Sequence, residues 1–86
     1  MADRPNIELN SGDWEEIPDA AGKTWMIQNT GFVSVRVSAT DGPKPTDFAT
    51  GEIVRPEDWT PEPIAVAAGE SLWALGNTQI FLREVI

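Results

Sequence analysis

The sequence predicts an all-β domain: a small antiparallel β-sandwich or barrel built around two hairpins, with a long proline-rich loop. Apolar and polar residues alternate with a period of two between turn-forming residues, and no stretch keeps helical spacing with a cap at either end. The chain also contains an approximate internal sequence repeat, which we call the echo. Ile17–Thr30 and Ile64–Thr78 both run from an apolar residue through Ala-Ala-Gly into a Trp-containing strand and an Asn-Thr turn. We expect each copy to form one hairpin.

The N-terminal elements are predicted to be short. We expect a strand over Asn6–Asn10, a turn over residues 11–13, and a second strand over Trp14–Ile17 that Pro18 ends. For residues 1–10 a flexible N-terminal arm is the alternative expectation. The 86 residues leave room for a single β domain, which spans residues 1–86.

The first hairpin is predicted over Lys23–Ser38. Its loop is expected over residues 29–31, with Gly31 at a positive φ. The opposing residues on the two strands are then Ile27 with Val33 and Trp25 with Val35. This register places the apolar residues on one core face and leaves Phe32 on the wettable face, where it could serve a contact.

The second hairpin is predicted over Glu70–Ile86, around a two-residue turn at Gly76 and Asn77. Its first face would carry Trp73, Leu75, Ile80 and Leu82, and its second face Leu72, Ala74, Phe81 and Val85. A strand pair that is apolar on both faces must be covered on both. The outer face, with Leu72 and Phe81, is therefore predicted to form an oligomer contact or a docking surface.

The segment between the hairpins is rich in proline. Gly51–Arg55 is predicted as one short strand, whereas Arg55–Pro63 cannot form a central strand because prolines lack the N–H that a strand ladder needs. A long, stiff loop in so small a domain is typical of a functional segment.

The four tryptophans receive different predictions. Trp25 and Trp73 occupy matching positions in the echo and are expected in the core, and Trp14 is expected at its edge. Trp59 lies among prolines and acids in the loop, where an anchor at an interface is expected. The alternative for Trp59 is a lid that folds back over the end of the barrel.

Charge and size limit the partners. Fourteen acidic residues against six basic ones give a net charge of −8, and so few cations cannot build the basic patch that nucleic acid requires. The N-terminal residues lack the apolar core of a signal peptide, and no apolar run approaches membrane-spanning length, so no membrane association is expected. A core this small, with no cysteine for disulfides, predicts a homo-oligomer or docking on a larger partner.

The commonest catalytic side chains are missing. The chain has no histidine, cysteine or tyrosine, which removes the usual general bases, metal ligands and nucleophiles. Residues 22–24, Gly-Lys-Thr, lack the upstream glycine of a phosphate-binding loop and precede a strand instead of a helix. A glycosidase needs two carboxylates that face each other across a sugar, and the adjacent acids at 15–16 and 57–58 would point to opposite faces of a strand, so neither pair forms such a site by itself. We expect no enzyme, no cofactor and no metal site.

Two segments carry a resemblance to a known group of proteins. Ile27-Gln28-Asn29 followed by Gly31 and a Val-x-Val-x-Val run, and later the segment Gly-Glu-Ser-Leu-Trp-Ala at 69–74, resemble small β-rich structural proteins of tailed bacteriophages. The likeness covers Trp14 to the C-terminus, although the Arg55–Pro63 loop has no counterpart in the pattern. It implies a virion accessory protein that docks on the capsid or tail, commonly as a symmetric oligomer, and it carries over no catalytic residues.

The expected function is therefore a non-enzymatic phage virion structural protein, made in the host cytoplasm. A capsid decoration or head accessory protein is the form we expect, docked on major subunits. The predicted interface residues are Trp59, Phe32, Leu72 and Phe81. One alternative is a carbohydrate- or receptor-binding module in which Trp59 stacks on a sugar beside Asp58 and Glu62. Another is an acidic inhibitor that mimics DNA and blocks a DNA-binding enzyme.

Overall fold

The computed structural model describes residues 3–10, 12–47 and 51–85. Eight β-strands follow one another: β1 (Asp3–Leu9), β2 (Glu15–Ile17), β3 (Lys23–Asn29), β4 (Val35–Thr40), β5 (Glu52–Val54), β6 (Ile64–Val66), β7 (Ser71–Leu75) and β8 (Thr78–Val85). They form two four-stranded antiparallel sheets packed as a sandwich, so the predicted fold class is confirmed. None of the described residues belongs to a helix long and apolar enough to cross a membrane.

The strand order is that of a jelly roll. Sheet A has the order β1-β8-β3-β6 and sheet B the order β2-β7-β4-β5. Each strand of the first half pairs with one of the second half: β1 with β8, β2 with β7, β3 with β6, and β4 with β5. A single antiparallel ribbon rolled into two sheets has this pairing. Among the described strands, the connection from β4 to β5 stays within one sheet and every other connection crosses to the opposite sheet.

The short strands agree with the sequence except at the N-terminus. The predicted strands at 14–17 and 51–55 are confirmed as β2 and β5. β1 begins earlier than predicted and pairs with β8 from Asp3 to Leu9, so this part of the segment considered as a free arm forms a sheet edge. Residues 1, 2, 11 and 86, which belong to the predicted arm, turn and last hairpin, lie outside the described residues.

Both predicted hairpins are wrong. β3 pairs with β6 and β8 in sheet A, whereas β4 pairs with β5 and β7 in sheet B. The turn at Gly76 and Asn77 likewise joins strands of different sheets. Ile27 and Val35 are nevertheless both buried, because the inward residues of stacked sheets fill the same core. Alternation with a period of two shows which face of a strand is buried. The period is the same whether two strands are hydrogen-bonded in one sheet or face each other across the core from opposite sheets.

The echoed Ala-Ala-Gly segments are the corners at which the chain changes sheets. Gly22 has a φ of 77° and Gly69 a φ of 86°, a left-handed conformation that glycine adopts without steric penalty. The first corner leads from β2 to β3 and the second from β6 to β7. The N–H of Gly22 donates a 2.6 Å hydrogen bond to the carbonyl of Val66, which holds the two corners together. The echo therefore repeats a crossing between sheets.

The core lies between the sheets. Its completely buried apolar side chains include Trp25, Ile27, Leu72, Ile80 and Leu82. The residues of β8 predicted to face the core, Ile80 and Leu82, do so. For β7 the predicted inward face is wrong: Leu72 and Ala74 point inward, while Trp73 and Leu75 are only half-buried. β7 and β8 belong to opposite sheets, so the face of β7 that points to the core is not the one that would share a side with Ile80 and Leu82 in a hairpin.

The remaining tryptophan predictions are settled by burial. Trp25 is confirmed in the core and Trp14, at 4% exposure, is buried just before β2. Trp73 is not a core residue, and its indole N–H donates a 3.1 Å hydrogen bond to the hydroxyl of Thr40.

The side chain of Asn29, at the end of β3, is the polar centre of the fold. It is completely buried. Its Nδ2 donates to the carbonyls of Val33 at 2.6 Å and Val54 at 2.9 Å. Its Oδ1 accepts from the N–H of Gly31 at 3.0 Å and the hydroxyl of Thr78 at 2.8 Å. A primary amide has two donors and two acceptor sites, so this set is complete, and it joins strands of both sheets.

Gly31 is required by close packing, and the positive φ predicted for it is not found. A Cβ atom here would collide with Oγ1 of Thr78 and would lie 2.9 Å from the backbone nitrogen of Gln79. Only glycine therefore lets the loop after β3 approach the start of β8. Val33, which was predicted to pair with Ile27, follows this approach and is 48% exposed.

The proline-rich loop covers the part of β3 that β6 leaves open. β6 pairs only with Lys23–Trp25. Farther along β3 the loop takes over, with backbone hydrogen bonds from Thr60 to Ile27 at 2.8 Å, from Asn29 to Asp58 at 3.0 Å and from Glu57 to Asn29 at 2.7 Å. The prolines at 56, 61 and 63 lie on either side of these positions, so they do not replace the residues that donate an N–H to β3. The loop thus extends sheet A without being a regular strand.

Asp13 and Lys44 connect the segment before β2 with the loop after β4. Lys44 Nζ lies 2.7 Å from Asp13 Oδ2, with both side chains about half exposed. Oδ1 of Asp13 accepts a 2.8 Å hydrogen bond from the N–H of Trp14. The bond with Lys44, and after it the bond with Trp14, lowers the pKa of Asp13 because both favour the carboxylate. The ionised Asp13 carboxylate therefore stabilises the fold at pH values above the pKa that Asp13 has in the unfolded chain. This stabilisation is lost as the pH falls through the lower pKa that Asp13 has in the folded chain.

We predict that Asn29→Ala strongly destabilises the fold. The change leaves buried carbonyls without donors, and each unsatisfied group costs about 1–3 kcal/mol, so we expect the free energy of unfolding to fall by about 3 kcal/mol or more. Urea denaturation measures this. Asn77→Ala removes the same group from an exposed position and should change the free energy by less than about 0.5 kcal/mol. Equal, small effects of the two changes would contradict the central role of Asn29.

We also predict that Lys44→Ala raises the pKa of Asp13 toward its ordinary value, because the hydrogen bond that lowers this pKa most is removed. An NMR titration of the Asp13 carboxyl carbon measures this. Lys23→Ala is the control, since Lys23 lies on β3 and is not bound to Asp13, and it should leave the titration unchanged. A pKa that does not move in Lys44→Ala would contradict the assignment.

Candidate functional site

An aromatic patch lies on the outer face of sheet A. We define it as Met26 on β3, Trp59 in the proline-rich loop, and Phe81 and Arg83 on β8. The rings of Trp59 and Phe81 meet edge to face, with centroids 5.8 Å apart and planes at 87°. The guanidinium carbon of Arg83 lies over both rings, 6.0 Å from the centroid of Trp59 and 5.4 Å from that of Phe81. These are cation–π contacts, which hold the arginine against the aromatic pair.

Strand alternation and register place these side chains together. Because Ile80 and Leu82 point into the core, Phe81 and Arg83 point outward. The pairing of β3 with β8 sets Met26 opposite Arg83, and it sets Gln28 opposite Phe81. Trp59 reaches the patch because its backbone bridges to Gln28.

A side-chain contact also fixes the loop that carries Trp59. Nε2 of Gln28 donates a 3.2 Å hydrogen bond to the carbonyl of Glu57. Together with the backbone bonds of the loop to Ile27 and Asn29, it ties the residues on either side of Trp59 to β3. Trp59 is therefore carried by backbone that hydrogen bonds hold against β3 on both sides of the residue.

The patch is partly open to solvent. Trp59 is 37% exposed, Phe81 is half-buried and Arg83 is exposed. Met26, Trp59 and Arg83 line a shallow cleft. Tryptophan and arginine are the residues that most often dominate the binding energy of protein interfaces. The neighbouring Glu57 and Asp58 are exposed and add negative charge beside the patch.

The predicted interface residues do not form one site. Trp59 and Phe81 are brought into contact, whereas Phe32 lies in the loop after β3 and is 98% exposed. Leu72 was predicted on an outer face, but it is completely buried and cannot contact a partner, because β7 turns that side toward the core. Trp59 packs on the outer face of the sheet, so it is not a lid over the end of the core.

Sequence reasoning missed Met26 and Arg83. Arg83 lies two residues after Phe81 and so shares its outer face. Met26 could have been found only from the pairing of β3 with β8, which the predicted hairpins concealed.

The acidic residues do not form a metal site in the described part of the chain. No group of three or more His, Cys, Asp or Glu there could hold an ion. The acids at 15 and 16 lie on β2, where successive side chains point to opposite sides, and those at 57 and 58 belong to the loop beside β3. The chemistry of the patch is therefore that of apolar and cation–π contact.

Comparisons with protein-family models, with curated proteins and with solved structures found no match to this chain. The resemblance of its sequence to phage structural proteins therefore stays a prediction.

We predict that Trp59 contributes little to folding compared with Trp25. Trp59→Ala removes one aromatic pair at the surface and should lower the free energy of unfolding by about 1 kcal/mol. Trp25→Ala empties a site in the core, where the indole N–H also donates a 3.1 Å hydrogen bond to the Ala20 carbonyl. This change should lower the free energy by about 3–5 kcal/mol. Chemical denaturation of both variants tests the difference, and equal losses would mean that Trp59 is a structural residue.

Proposed function

We propose that this chain is a non-enzymatic structural protein of a tailed-phage virion, a capsid decoration or head accessory protein that docks on the major subunits. The observation that carries the proposal is the aromatic patch, in which Trp59, Phe81 and Arg83 contact one another outside the core. The core is complete without them, so their joint position at the surface has its best explanation in burial against a partner.

The shape of the patch favours a protein partner. The aromatic rings and the guanidinium already contact each other, and the loop carrying Trp59 is tied to β3, so little side-chain or loop entropy is lost on binding. A jelly roll is found in viral capsid proteins and in lectins, which is consistent with the proposal but does not choose between these functions.

The charges indicate the chemistry of the docking surface. Glu57 and Asp58 are exposed beside the patch, and the chain has a net charge of −8. A partner with an apolar pocket bordered by lysine or arginine would complement this arrangement. A second copy of the chain carries the same negative charge, which favours a different protein as the occupant of the patch.

Carbohydrate binding by Trp59 is the rival proposal for the same surface. It requires an open face of the indole on which a sugar ring can stack. Arg83 lies over that ring and Phe81 meets it edge to face, so part of the aromatic surface is already occupied. We therefore prefer protein docking at the patch.

The proposal predicts that the chain is present in virions in a fixed number per capsid. Mass spectrometry and immunogold labelling of purified particles measure its amount and place. Trp59→Ala should weaken rebinding to particles that lack the protein by at least about tenfold, equivalent to about 1.4 kcal/mol.

Ile53→Ala is the matched control for this experiment. Ile53 is also a large exposed apolar residue, at 49%, but it lies on β5 of sheet B, so rebinding should be unchanged. Absence of the protein from virions, or equal rebinding by both variants, would contradict the proposal.

A further inference from the structure

A second surface feature lies where the loop after β3 meets the start of β8. It is a cleft of about 380 Å³, which we call the tip cleft. Apart from the buried Thr78, the polar and aromatic residues that line it are Glu8, Asn10, Thr30, Phe32, Asn77 and Gln79. They come from the end of β1, from the loop after β3, and from the turn that leads into β8. Three separate segments thus place polar side chains and one aromatic ring along the same cleft.

Phe32 is presented to solvent by a rigid loop. Its side chain is 98% exposed, so it contributes nothing to the core. The residues on either side of it are bound to the buried amide of Asn29, which accepts from Gly31 at 3.0 Å and donates to Val33 at 2.6 Å. The packing of Gly31 on Thr78 fixes the same loop against β8. The backbone that carries the ring is therefore held in place before any ligand arrives, which lowers the loop entropy lost on binding.

The wall opposite the loop carries paired polar groups. Glu8 on β1 and Gln79 on β8 are cross-strand partners, and Gln79 Nε2 donates a 3.1 Å hydrogen bond to Glu8 Oε1. The bond orients both side chains, while a carboxylate and an amide each have further hydrogen-bonding sites. Asn77 and Thr30 are exposed and add an amide and a hydroxyl to the cleft.

We propose that the tip cleft binds a neutral sugar, with the apolar face of the ring on Phe32 and its hydroxyls bound by Glu8, Gln79 and Asn77. A ligand that fits must offer an apolar face and several hydroxyl groups within a few ångströms, and a pyranose does both. Among the described residues, none that lines the cleft is lysine or arginine. Acidic sugars are therefore disfavoured by Glu8 and by the net charge of −8.

This site is distinct from the aromatic patch, and the inference does not depend on the proposed docking. Gln79 in the cleft and Phe81 in the patch are both on the outer side of β8, but Phe32 and Trp59 lie on separate loops. Each site can therefore be removed without the other. Insertion of Phe32 into a partner protein is the competing use of the same ring, and the test below separates the two.

The experiment is an NMR titration of the ¹⁵N-labelled full chain with methyl glycosides of glucose, galactose, mannose and N-acetylglucosamine. We expect saturable shifts of the amides of residues 30–32 and 77–79 with at least one of them, with a Kd of about 1–10 mM for so open a site. Phe32→Ala should weaken binding by at least about tenfold, and its spectrum shows directly whether it is folded.

Trp59→Ala is the control, because it removes the aromatic patch and leaves the cleft intact, so its Kd should equal that of the unaltered chain. Gln79→Ala should weaken binding without changing the position of the Phe32 loop. No saturable shift with any of the four glycosides, shifts centred on Trp59, or full binding by Phe32→Ala would each overturn the inference. Loss of particle rebinding by Phe32→Ala in the absence of sugar binding would assign the ring to a protein partner instead.

Discussion

The buried amide of Asn29 is the interaction on which the rest of the structure depends. Its hydrogen bonds reach the loop after β3, β5 in one sheet and β8 in the other, and its backbone also pairs with the proline-rich loop. A buried amide that loses a partner is costly, so these segments must keep their positions together. The loops that present Phe32 and Trp59 both depend on this residue, and both candidate surfaces are thereby fixed to the core.

The jelly-roll connectivity explains how so small a chain keeps both sheets ordered. Nearly all its connections cross between the sheets, so each sheet is held by strands distant in sequence. Three of the four edge strands, β2, β5 and β6, have three residues each, and such short edges offer little template for pairing with other chains. The fourth edge strand, β1, has seven residues. Where β6 ends, the proline-rich loop pairs with β3 in its place.

Strand β8 carries the core and both candidate surfaces. Its inward side chains, Ile80 and Leu82, are completely buried, and its outward side chains supply Gln79 to the tip cleft and Phe81 and Arg83 to the aromatic patch. β8 is paired on both sides, with β1 and β3. A surface built on a central strand is held more rigidly than one on an edge, which favours preorganised binding over induced fit.

The sequence by itself determined the all-β class, the inward faces of β3 and β8, the short strands β2 and β5, and the positions of Phe32 and Phe81 outside the core. These depend on local alternation and on turn residues, which act over a few positions. Only the tertiary structure decided the strand partners, the inward side of β7, the burial of Leu72, and the roles of Met26 and Arg83. Asn29 looks like a turn residue in the sequence, yet its partners Val54 and Thr78 lie 25 and 49 residues away. Alternation has the same period in paired and in stacked strands, so the choice between them belongs to long-range packing.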